Sequence, residues 1–92
     1  MSKPESLEER RRRIDDLDQR LMAILLERAI LVRAIARQKR AMGVEIIDPE
    51  REDEIMDRLH ALGAGQLPEP ELDQVIDALR ELMQMVAEEP EH

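Results

Sequence analysis

The 92-residue sequence has no cysteine, tryptophan, tyrosine or phenylalanine. The missing thiol excludes a disulfide framework and thiolate metal sites. The missing aromatics exclude base stacking and leave a core of Leu, Ile, Val, Met and Ala. Two histidines, His60 and His92, are too few for a His-rich metal cluster. Positive charge is in deficit: 14 Lys and Arg stand against 22 Asp and Glu, for a formal net charge of −8. Such a field argues against nucleic-acid and anionic-membrane partners. There is no apolar run resembling a signal peptide or a membrane span. The expectation is a soluble cytoplasmic protein.

Neither proline nor glycine occurs between Ser6 and Met42, and this stretch reads as one helix. At 1.5 Å per residue it would be roughly 55 Å long, more than the remaining residues can cover. Ser6 and Glu9 fit a capping box, and Gly43 suits the C′ position. Val44 to Ile47 form a short connection. Asp48-Pro49 starts a second helix, with Asp48 as N-cap and Pro49 at N1, which Gly63-Ala64-Gly65 stops. A third helix is predicted from about Glu69 to Glu88, where Leu72, Val75, Ile76, Leu79, Met83 and Val86 recur at helical spacing. Residues 1–5 are expected to be disordered and 6–89 to form a single domain. A chain this short gains by oligomerising, and two copies covering each other's long helix would solve the coverage problem. The predicted fold is all-α: three helices, one very long, one short and one medium, in an intertwined homodimer.

On a helical wheel, Ile14, Leu17, Leu21, Leu25, Val32 and Ile35 share a stripe about 80° wide. Arg28 and Lys39 fall in its middle, eleven residues apart and so on nearly the same side. Cations in such a place need anionic partners or a water-filled cavity, although Arg28 could pair with another helix and Lys39 could simply cap the helix end. Asp48, Arg51 and Glu52 form a second cluster, which read blandly is an N-cap beside a surface ion pair. The short connection folds the second helix back toward Lys39. Converging cations with one or two acids suit a small dianion carrying a hydroxyl group.

These residues carry a resemblance. The pattern Arg11-x-x-Ile14-x-x-Leu17-Asp18-x-x-Leu21-x-x-x-Leu25-x-x-Arg28, then Ile35-Ala36-x-x-Lys39 and Ile47-Asp48-Pro49-Glu50-Arg51-Glu52, resembles the all-helical (AroQ-class) chorismate mutases in order and spacing. The resemblance implies an intertwined dimer that converts chorismate to prephenate in aromatic amino-acid biosynthesis. That rearrangement is intramolecular and pericyclic, so the resemblance implies that neither a nucleophile nor a cofactor is needed. The family's pattern implies that Arg28 binds one substrate carboxylate and that Arg11 of the other subunit binds the second. Arg10 lies closer to the stripe centre, so the choice of Arg11 rests on the resemblance. Lys39 is expected to donate to the ether oxygen and a carboxylate, Arg51 to support the carboxylate site, and Glu52 to accept from the substrate hydroxyl with Asp48 nearby.

In the third helix the family places a Ser and, four residues later, a Gln that is the second donor to the ether oxygen. Aligning the apolar stripe puts Met83 and Ala87 at these positions, and neither side chain can donate. A shift of one residue puts Gln84 and Glu88 there instead, at the cost of moving Arg80 and Glu81 toward the core. The apolar stripe favours Met83 and Ala87, which would leave a weaker mutase. It would also suit a partner-dependent binding or regulatory module docking on another shikimate-pathway enzyme. An isochorismate pyruvate lyase and a purely structural dimer are the other readings.

Overall fold

The computed structural model describes residues 3–90, so the expected disorder of residues 1–5 falls partly outside the described residues, at Met1 and Ser2. Three helices make up the regular structure: α1 over Leu7–Met42, α2 over Pro49–Gly63 and α3 over Glu71–Ala87. No strand occurs among the described residues. Among the described residues, no helix is long and apolar enough to cross a membrane.

Each boundary has a local cause. The Glu9 backbone N–H donates to Ser6 Oγ at 3.1 Å, which satisfies one of the donors left open by the first turn of α1. Gly43 adopts φ 71°, where a side chain would be strained. Its N–H donates to the Arg40 carbonyl while Val44 N–H donates to the Lys39 carbonyl, each at 3.1 Å. Together they form a Schellman cap on α1. Asp48 is extended and its carboxylate accepts from the Arg51 N–H, with Pro49 in the first turn. α3 begins two residues later than predicted, after Pro70.

The chain divides into two compact units, Met1–Ile30 and Leu31–His92. In the described part of the first, residues 7–30 are helix only. Its large side chains Ile14, Leu17, Leu21 and Ile24 are all more than half exposed, at 57, 52, 59 and 60%.

The second unit holds the rest of α1 with α2 and α3. Ala36, Leu72, Ile76, Met83, Val86 and Ala87 are buried there. α2 packs on α3, and at Gly63 an added Cβ would meet Leu72 Cδ2 at 2.9 Å. The same corner is tied by His60 Nε2, 2.7 Å from Glu69 Oε1 and 3.4 Å from Asp73 Oδ1. At the other end, Arg33 Nε donates to Glu89 Oε2 at 2.8 Å, and Arg40 donates to the carbonyls of Ala87 and Glu89 at 2.9 and 3.1 Å. The Arg40 guanidinium thereby occupies acceptors that the C-terminus of α3 would otherwise leave open.

Candidate active site

Lys39 is a half-buried side chain in the last turn of α1. Its Nζ donates to the carbonyl of Ile46 at 3.1 Å. An ammonium has three donors, so this bond orients the group and leaves two for other acceptors. Ile46 also lines an open recess of about 690 Å³ formed by Gly43 to Ile47 with Glu88 on its other side.

Glu52 is the half-buried acid of α2, with its side chain 20% exposed. Gln84 Nε2 donates to both of its oxygens, to Oε1 at 3.0 Å and to Oε2 at 2.8 Å. Arg80 Nη2 adds a bond to Oε2 at 3.3 Å and Nη1 one to Asp53 Oδ1 at 2.9 Å. The hydrogen bond to Asp53, helped by the charge of Glu52, raises the Arg80 guanidinium further above its already high range, with burial acting in the opposite direction. Arg80 and Gln84 lie one turn apart, so a single edge of α3 presents a cation and an amide to one carboxylate.

Asp48 spends a carboxylate oxygen on the N-cap bond to the Arg51 N–H, at 3.2 Å. The exposed Arg51 side chain reaches Glu54 Oε2 at 3.4 Å. Arg11 is exposed and Arg28 half-buried; both belong to the first unit. On α3, Met83 and Ala87 are 6 and 7% exposed. The side chain that meets Glu52 is Gln84, from the shifted register. Of the predicted α3 stripe, Leu72, Ile76, Met83 and Val86 are buried, whereas Val75 is 68% exposed; the half-buried Arg80 and Gln84 flank the buried row.

Arg80 is the residue that sequence reasoning passed over. In the shifted register its approach to the core looked like a cost. The pairing with Glu52 and Asp53 removes that cost. The available signal was polar Arg80 and Gln84, one turn apart, beside the apolar stripe.

A family model described as chorismate mutase type II matches residues 10–89. A protein of Methanocaldococcus jannaschii named chorismate mutase is 40% identical over 58 residues, or 63% of this chain and 59% of that protein. The match therefore spans less than two thirds of the relative's length. No solved structure matches the chain significantly.

Proposed function

Since the chain belongs to the type II chorismate mutase family, we propose that it rearranges chorismate to prephenate as an intertwined homodimer, without a cofactor and in the cytoplasm. The reaction closes one carbon–carbon bond as the ether carbon–oxygen bond opens. The substrate must therefore be folded into a compact conformer, and the charge growing on the ether oxygen must meet fixed donors. In this reading Arg28 and Arg11 of a second copy clamp the two carboxylates. Lys39 donates to the ether oxygen and a carboxylate, Arg51 supports the carboxylate site, and Glu52 receives the ring hydroxyl with Asp48 beside it.

The observation that carries the proposal is the network on Glu52. A half-buried carboxylate is held by a facing helix at a position where the family pattern calls for a hydroxyl acceptor. The contact also favours the α3 register with Gln84 and Glu88 over Met83 and Ala87, whose side chains are packed in the core. Glu88 shares the recess lined by Ile46, whose carbonyl holds Lys39. In that register Glu88 takes the place of the second donor to the ether oxygen. The dimer is supported by the exposed Ile14, Leu17, Leu21 and Ile24, which a second copy would cover.

The test is loss of chorismate absorbance with formation of prephenate by the purified chain. No rate above background, alone or with cell extract, would remove the proposal. Pyruvate released from isochorismate would redirect it to the lyase.

Glu88 makes a separate prediction. A carboxyl group donates only when protonated, whereas an amide donates at every pH. Glu88→Gln should therefore raise kcat by roughly tenfold or more, since one well-placed donor is worth about 10²–10³ in rate. A kcat no higher than that of the unmodified chain would exclude Glu88 as the second donor.

A further inference from the structure

We infer that Arg80 is a positioning residue for this reaction: with Gln84 it fixes the Glu52 carboxylate so that Oε1 receives the substrate hydroxyl. The inference rests on the proposed role of Glu52 as the hydroxyl acceptor and adds a residue and an atom to it.

A carboxylate offers about four lone-pair sites, two on each oxygen. On Glu52, Oε2 accepts from both Gln84 Nε2 and Arg80 Nη2, while Oε1 accepts from Gln84 alone. The donors from α3 thus occupy the two sites of Oε2 and one of Oε1. The site left over on Oε1 is the one available to an incoming hydroxyl. Without anchoring, the flexible glutamate side chain would have to be ordered when substrate arrives, which weakens binding and slows the bound reaction. Gln84 alone holds both oxygens through one amide nitrogen, and a carboxylate can swing about such a pivot. Arg80 provides a second anchor, and its bond to Asp53 fixes the guanidinium in turn.

The degree of burial separates this pair from an ordinary surface bridge. The side chains of Arg80 and Glu52 are 29 and 20% exposed, against 45 and 48% for Arg33 and Glu89. Exposed pairs are usually worth little. Arg80 also places one cation between the consecutive acids Glu52 and Asp53, whose mutual repulsion would otherwise act on the orientation of the acceptor.

The test is a double-mutant cycle of Arg80→Leu and Glu52→Gln, with kcat, KM and melting temperature measured for all four proteins. Arg80→Leu is expected to lower kcat/KM by roughly tenfold in the otherwise unmodified chain and by less than about twofold in the Glu52→Gln background. Arg80→Lys, which keeps the charge but cannot reach both acids as a fork, should lose about threefold in the first background and nothing in the second. It also keeps the test open should the leucine variant fail to fold. Equal losses in both backgrounds, or losses that follow melting temperature alone, would overturn the inference and leave the mutase reading intact. An inactive unmodified chain overturns both.

Discussion

Lys39→Ala is expected to lower the chorismate rearrangement rate by at least about a thousandfold while leaving the helical circular-dichroism signal unchanged. Removing one donor from a developing oxyanion costs about 10²–10³ in kcat. Lys39 is proposed to do more than that, because its ammonium also meets a substrate carboxylate and charge-assisted bonds are stronger than neutral ones. The cost to the fold is small by comparison. The side chain is half-buried and gives up one hydrogen bond to the Ile46 carbonyl, worth about 0.5–1.5 kcal/mol. The Schellman cap beside it is made by main-chain atoms and survives the substitution. A variant that kept a tenth of the unmodified kcat would rule Lys39 out as the principal donor. A variant that lost helicity along with activity would make its role structural.

Leu21→Asp should separate the copies and abolish activity with them. Leu21 is 59% exposed in the single chain and lies on the proposed contact face with Ile14 and Leu17. Burying such a side chain contributes about 1.5–3 kcal/mol. A two-fold interface counts it twice, so its loss weakens the dimer by about 4 kcal/mol, or roughly a thousandfold in dissociation constant. The introduced carboxylates would add desolvation and repulsion. Sedimentation should show the unmodified chain as a dimer at micromolar concentration and the variant as a monomer. Because Arg11 is proposed to act in the other copy's site, the specific activity of the variant should recover as protein concentration is raised. An unmodified chain that sediments as a monomer would remove both the dimer and the shared site.

How far the sequence could be read depended on whether local chemistry settled the question. The ends of α1 and α2 were legible because Ser6, Gly43 and Asp48-Pro49 each solve a hydrogen-bonding or dihedral problem that has few other solutions. The family was legible because Arg11, Arg28, Lys39 and the Asp48–Glu52 segment sit at fixed spacing along two helices. The register of α3 was not. Successive helical residues differ by about 100° on a wheel, and a broad apolar stripe tolerates a rotation that brings in either Met83 or Gln84. What favours Gln84 is a polar pairing between Glu52 and α3, which no wheel drawn on α3 alone contains. The covering of the α1 stripe is left open within one chain for a related reason. The large residues of its stripe, Leu17, Leu21 and Ile35, stay exposed in the chain, whereas Ala29 and Ala36 are buried. Hydrophobicity marks what must eventually be covered, but it does not say which copy covers it.

The turn after α1 bears on how this chain can change over time. Lys39 is attached to that turn twice, by its own carbonyl through Val44 and by its ammonium through the carbonyl of Ile46. Surface connections generally accept inserted and deleted residues at little thermodynamic cost. Here a single added residue between Gly43 and Ile46 would leave the helices intact and still shift the carbonyl that orients Lys39. If Lys39 has its proposed role, the length of this connector is tied to chemistry rather than to stability. The looser ground for insertion is the stretch between Gly63 and Pro70, which contacts none of the proposed catalytic groups.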